Sequence, residues 1–157
     1  MRKKRIVIIG GLSAGPSAAA KARREDENAE ITLFEKTNYI SYATCGIPYA
    51  LSGKIKTRDK LMVVKPDLLR NRFNIDVRLN EPVTSIDTNR QTVSTENGVY
   101  PYDKLVYAAG GTPLIPPIKN LDKCDLWSTC KTIADFDKIT KDGALTDKQN
   151  IAIIGAG

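Results

Sequence analysis

Three groups in the first fifty residues have the types and spacing of residues that do chemistry. They are a cysteine in SYATCGIPYA (41–50), a glycine turn in GGLSAG (10–15), and Glu35 at the end of an apolar run. Cys45 is followed by Gly46 and Pro48, which suits a cysteine opening a helix whose first turn tolerates proline. Unpaired N–H groups and the positive dipole end at such a place favour thiolate, the form that attacks disulfides. A lone cysteine is otherwise most often a small buried apolar residue, so both readings of Cys45 stand at this level.

The glycine turn points to a ligand class. Gly10 and Gly15 hold the first and third positions of a GxGxxG pattern, with Leu12 at the middle one. A strand-to-helix turn of this kind aims backbone N–H groups and a helix dipole at a pyrophosphate. Glu35 follows about 20 residues after Gly15, where a carboxylate at a second strand end takes a ribose hydroxyl.

These groups need particular elements to position them. RIVIIGG (5–11) reads as a buried parallel strand, SAGPSAAAKARRED as a slim-faced helix, and AEITLFEK (29–36) as a second strand. Together they form a right-handed βαβ unit. A helix is expected over 66–73, and β structure over 75–107, with a turn at Glu96-Asn97-Gly98. TPLIPPI (112–118) is a proline-rich loop, and TIADFDKITKDGAL predicts a helix. NIAIIGAG (150–157) repeats the opening theme and predicts the first strand and glycine turn of a second Rossmann-type unit. The fold class expected is α/β. It comprises a Rossmann-type dinucleotide-binding domain with a parallel sheet, one helix-covered face and an antiparallel β-meander insertion. The expected division is 1–118 for the first segment of that domain, 119–149 for a linker and helix, and 150–157 for the opening of a second dinucleotide-binding domain.

Composition excludes several classes. The 157 residues are 41% hydrophobic and 27% charged, with no apolar run long enough for a membrane span. MRKKR runs directly into a strand with no signal-peptide core, so a cytoplasmic protein is expected. The net charge of +6 has no aromatic interleaving, so the signal for a nucleic-acid surface is weak and a small anionic ligand explains the excess equally well; no nucleic-acid partner is expected. Three cysteines (45, 124, 130) without CxxC, and no histidine, predict neither a disulfide framework nor a metal site. The C-x5-C pair Cys124 and Cys130 reads as incidental thiols.

RIVIIGGLSAGPSAAAKARR, EITLFEK, SYATCGIPYALSG and YDKLVYAAGGTPLIPP resemble successive landmarks of the single-cysteine branch of the FAD-dependent pyridine nucleotide-disulfide oxidoreductases, above all the coenzyme A-disulfide reductases. The resemblance implies FAD on the first dinucleotide site and NAD(P)H on a second. It also implies a homodimer built through a C-terminal domain, with residues 1–157 as the front part of a longer protein. It makes Cys45 the redox nucleophile. FAD contacts would come from Gly10, Gly11, Leu12, Ser13, Ala14 and Gly15 at the pyrophosphate and from Glu35 and Lys36 at the adenosine ribose. Val83 would lie near the adenine, and Ala109 and Gly110 in a turn where such enzymes usually show Ala-Thr-Gly.

Ser17, Lys21 and Arg24, with Ser41 and Thr44, match the family's coenzyme A side. Positions 17, 21 and 24 share one helix face, where the two cations could meet phosphates or simply stay solvated. Related oxidases and peroxidases carry a histidine in the first glycine turn. Ser13 stands there, which argues against peroxide chemistry. Coenzyme A-disulfide reductases usually have asparagine before the cysteine, and Thr44 offers a hydroxyl in its place. The implied activity is reduction of coenzyme A disulfide or a similar small disulfide. NADH oxidase, persulfide or polysulfide reductase, and a non-catalytic nucleotide-binding module are the alternatives.

Overall fold

The computed structural model describes residues 2–141 and 150–155. The described chain divides into two compact units, residues 1–43 with 62–112, and residues 44–61 with 113–157.

The first unit is built on a parallel sheet in the order β3-β2-β1-β7. Its strands are β1 (Arg5–Ile9), β2 (Glu30–Phe34), β3 (Asp76–Arg78) and β7 (Lys104–Tyr107). β1 is central, pairing Ile8 with Leu33 on one side and Val7 with Leu105 on the other. Both of its edges are therefore paired, and the period-two alternation of a strand sorts its side chains between a core on each face.

Ile8, Ile31, Leu33 and Val77 point to the face covered by helices α1 (Ala14–Glu25) and α3 (Pro66–Phe73), where Ala19 and Leu69 complete the core. Alanines at 18, 19 and 22 let α1 lie close to the sheet. Val7, Ile9 and Phe34 point the other way, onto Val93 and Tyr102. That second face is roofed by the antiparallel meander β4 (Ser85–Asp87), β5 (Thr92–Thr95) and β6 (Gly98–Pro101), which turns at Glu96-Asn97 as expected.

Two polar fastenings hold this unit. The Arg23 guanidinium donates to the carbonyls of Asp26, Glu27, Phe73 and Asn74, satisfying the orphan acceptors where α1 and α3 end. Glu81 is the one buried charged residue among those described, 7% exposed. Burial pushes its carboxyl up, but hydrogen bonds from Thr95, Tyr100 and Asn97 and the charge of Arg78 hold it below the usual range.

The second unit carries a 3-10 turn at Thr44–Gly46, α2 (Ile47–Leu51), a second 3-10 turn at Arg58–Leu61, and α4 (Ile133–Thr140). Ile47, Leu61, Ile133 and Phe136 are its buried side chains. Arg58 forks onto Asp137 with hydrogen bonds of 2.5 and 2.7 Å. Thr132 and Asp135 form a capping box at the start of α4.

The structure departs from the sequence reading in one place. Residues 151–155 form no strand; Ile151, Ile153 and Ile154 are exposed. A run that a parallel sheet buries on both faces needs neighbouring strands, and none among the described residues pairs with it. The end of the expected helix beyond residue 141, and Ala156 and Gly157 of the expected glycine turn, lie outside the described residues.

At the foot of β1 the backbone N–H of Arg5 donates to Asp103, and Arg2 adds a side-chain bond. The Arg5 amide is the main reason the Asp103 carboxyl lies at about 2, below its ordinary 3.8, with desolvation opposing and the two arginines assisting. The folded state thus binds this proton less readily than the unfolded chain. The contribution is complete above the ordinary carboxyl range and is lost as pH falls from about 4 toward about 2. Asp103→Asn is expected to lower the urea midpoint at pH 7 and to flatten its decline between pH 4 and 2. An unchanged acid limb in that variant would contradict the role given to this carboxylate.

Candidate functional site

The glycine turn follows directly from how tightly its elements pack. Gly10 sits at φ +104°, and a Cβ there would stand 2.2 Å from the carbonyl oxygen of Ala108, just past β7. A Cβ on Gly15 would stand 1.8 Å from the carbonyl oxygen of Gly10. Only hydrogen fits between the start of α1 and the end of β1. The pattern's first and third glycines therefore serve turn conformation and helix–strand packing. Leu12 occupies the middle position, half-buried.

What this packing leaves open is the N-terminus of α1. Ser13 takes the cap position without a side-chain cap, the first turn carries no acidic residue, and Ser13 and Ala14 are exposed. Pro16 falls in that first turn, where its missing N–H costs nothing. The uncapped, positively polarised end of a 12-residue helix fits an anionic group such as a pyrophosphate.

Glu35 comes to the same turn from β2. Its Oε2 accepts the Gly11 N–H at 2.7 Å, and its Oε1 accepts both the N–H and the hydroxyl of Thr37 at 2.9 Å. A carboxylate offers about four lone-pair sites, so these three bonds orient Glu35 and leave one site, on Oε2, for a ribose hydroxyl. Lys36 is exposed beside it, and Val83 is half-buried against the second core. Ala109 and Gly110 lie exposed after β7, where the Ala108 N–H donates to the Ile9 carbonyl. Ser41, at φ +45°, donates its N–H to the Gly11 carbonyl and is thereby tied to the turn.

On α1, Ser17, Lys21 and Arg24 are all exposed. Ser17 donates its hydroxyl back to the Ser13 carbonyl, Lys21 is paired with Glu25, and Arg24 makes no ion pair among the described residues. Of the two cations, Arg24 is the one whose charge is unspent.

In the second unit, Thr44 and Cys45 occupy the 3-10 turn that opens α2, with Pro48 in the first turn of that helix. The thiol is exposed, so the core-filler reading fails. Cys124 and Cys130 are also exposed and unpaired. Desolvation, with the Asp135 charge second, raises the Cys130 thiol, so less of it is thiolate near neutral pH. Among the described residues no His/Cys/Asp/Glu cluster could hold a metal, and no helix is long and apolar enough to cross a membrane.

Sequence reasoning missed Thr37, Glu81 and the Arg58–Asp137 pair. Thr37 lay two residues from a predicted ligand, which is the signal that could have found it. The other two are made across long sequence separations that no local pattern marks.

An open helix N-terminus after a glycine turn, at the C-terminal end of a parallel sheet with a carboxylate on the neighbouring strand, defines a Rossmann-type dinucleotide-binding domain. The chain belongs to the pyridine nucleotide-disulphide oxidoreductase family, whose model matches residues 4–157. It is 35% identical to the NAD(P)H coenzyme A polysulfide/persulfide reductase of Pyrococcus horikoshii, over an alignment of 162 positions that takes in 99% of this chain and 35% of that protein. It is 31% identical over 113 residues to the coenzyme A disulfide reductase of Staphylococcus haemolyticus, covering 68% of this chain and 26% of that one. The crystal structure of reduced Bacillus anthracis CoADR-RHD superposes with a TM-score of 0.83 and 34% identity, over 88% of this chain and 26% of that chain. The chain thus spans about a third or less of the length of these proteins.

Gly15→Ala tests the packing directly. The added methyl must move backbone, so a loss of about 1–3 kcal/mol in urea denaturation is expected, with weaker adenine-nucleotide binding. Full stability in this variant would show that α1 does not need its close approach to β1.

Proposed function

We propose that the protein carrying this chain is an FAD-dependent NAD(P)H:disulfide oxidoreductase that reduces coenzyme A disulfide, or a similar low-molecular-weight disulfide, through Cys45. The observation that carries this reading is the exposed cysteine in a turn opening a helix, in a chain of this family that also presents an open dinucleotide turn. FAD would be held by its pyrophosphate over Gly10–Gly15, by its adenosine ribose at Glu35 and Lys36, by its adenine near Val83, and by Ala109 and Gly110 after β7. When bound, FAD passes two electrons from NAD(P)H toward the cysteine sulfur.

The chain's own chemistry is thiol–disulfide exchange. The Cys45 Sγ, as thiolate, attacks one sulfur of the substrate; a new S–S bond forms, the substrate S–S bond breaks, and one thiolate leaves. Two electrons and a proton, supplied by NAD(P)H, then cleave the mixed disulfide, releasing the second thiol and restoring Cys45. Thr44, beside the cysteine, offers a hydroxyl to the leaving sulfur, and Ser17, Lys21, Arg24 and Ser41 supply the coenzyme A side. The free state of all three thiols fits a reducing, cytoplasmic setting.

In this reading residues 1–118 begin the FAD-binding domain, 119–149 link, and 150–157 open an NAD(P)H-binding domain. The exposed Ile151, Ile153 and Ile154 are the side chains such a sheet would bury. A persulfide or polysulfide substrate is the second reading, favoured by the name of the Pyrococcus horikoshii relative. It uses the same sulfur, and turnover of coenzyme A disulfide against polysulfide separates the two.

In the intact protein, Cys45→Ser is expected to keep FAD and lose disulfide reduction, because serine forms no mixed disulfide. Near-parental turnover in that variant overturns the assignment. Arg24→Ala is expected to raise KM for coenzyme A disulfide about threefold to tenfold at low salt, after discounting for solvent exposure. A small uncharged disulfide should be unaffected; equal losses for both substrates would make Arg24 a solvated face residue.

A further inference from the structure

The meander has no part in the site described so far, yet the buried Glu81 joins it to the segment that carries Glu35 and to the chain that leads to Val83. The Oε1 of Glu81 accepts the Thr95 hydroxyl at 2.7 Å and the Tyr100 hydroxyl at 3.0 Å. Arg78 donates to the same Tyr100 oxygen at 2.8 Å and stands 3.7 Å from Glu81 Oε2. Tyr100 in turn stacks on Phe34, the last residue of β2, with ring centroids 4.9 Å apart.

The backbone around Glu81 runs along the segment that carries Glu35. The Glu35 N–H donates to the Arg78 carbonyl at 2.9 Å, the Glu81 N–H to the Glu35 carbonyl at 3.0 Å, and the Asn80 N–H to the Thr37 carbonyl at 3.0 Å. Residues 35–37 are thus laced to 78–81, two residues before Val83. Asn80 sits in the left-handed region at φ +53°, so this return of the chain needs anchoring.

We propose that Glu81 is a positioning residue for the adenosine half of the cofactor site, holding Glu35 and the Val83 loop in place by anchoring both to the β5–β6 hairpin. This rests on the reading of the glycine turn as an adenine-dinucleotide site. Glu81 touches no ligand itself. Glutamine at 81 keeps its shape but replaces one acceptor oxygen by a donor and removes the charge facing Arg78, so the lacing loosens at a buried point.

The test is a ligand cycle on the flavin-free intact protein, using ADP and 2′-deoxy-ADP as probes in calorimetry. If Glu35 takes the ribose 2′-hydroxyl, the parent protein prefers ADP. Glu81→Gln is expected to weaken ADP about threefold to tenfold and to shrink the preference over 2′-deoxy-ADP toward unity. The milder Tyr100→Phe, which removes a single donor, should move both quantities the same way by less. A purely structural role would weaken both probes equally and leave the preference intact, which overturns the inference alone. A parent protein that binds neither probe overturns the dinucleotide reading, and this inference with it.

Discussion

The structure turns on an approach so close that only hydrogen fits: the α-carbon of Gly15, at the start of α1, against the carbonyl of Gly10, at the end of β1. A second contact of the same kind presses Gly10 onto Ala108. Together they bring the end of β1, the start of α1 and the chain beyond β7 to one point. The N–H groups of the α1 N-terminus are left without side-chain caps there. A larger residue at either position would open the wedge and turn the helix dipole away. The open N-terminus of α1 and the packing of the sheet are therefore one constraint, set by the same two glycines.

Around that point the parallel sheet divides its side chains cleanly. One face takes small and branched residues from α1 and α3; the other takes an antiparallel roof. Burying a carboxylate between sheet and roof is costly unless its oxygens are bonded. Glu81 meets that condition with Thr95, Tyr100 and Arg78. The roof is thereby bonded to the segment that runs along Glu35 at the end of β2.

Much of this was legible in the residue order. RIVIIGG, the alanine-rich helix and AEITLFEK showed the βαβ unit because their hydrophobic periods differ and the glycines punctuate them. The helix over 66–73 was expected where α3 stands, and the Glu96-Asn97-Gly98 turn marked the hairpin by local chemistry alone. Cys45 was legible as a helix-opening cysteine from Gly46 and Pro48. NIAIIGAG was legible as a strand only by composition, and its residues 151–155 pair with no strand among the described residues, because a buried parallel strand depends on neighbours that periodicity does not supply. Arg58–Asp137, Arg23 at two helix ends, and Glu81 under the hairpin were not legible. Each joins residues brought together by topology, and an isolated charge looks the same in sequence whether it is solvated or buried. The grouping of residues 44–61 with α4 was hidden for the same reason.

The central claim is that Cys45, and neither of the other thiols, exchanges with the substrate disulfide. Cys45 opens a helix and is exposed, while desolvation and Asp135 raise the Cys130 thiol. The most direct measurement is peptide-resolved mass spectrometry of the reduced intact protein after brief exposure to coenzyme A disulfide, quenched in acid to stop exchange. The account predicts a coenzyme A mixed disulfide on the Cys45 peptide that disappears on addition of NADH or NADPH, with Cys124 and Cys130 unmodified. A mixed disulfide on Cys124 or Cys130 in place of Cys45, or one on Cys45 that neither nicotinamide cofactor removes, would contradict it.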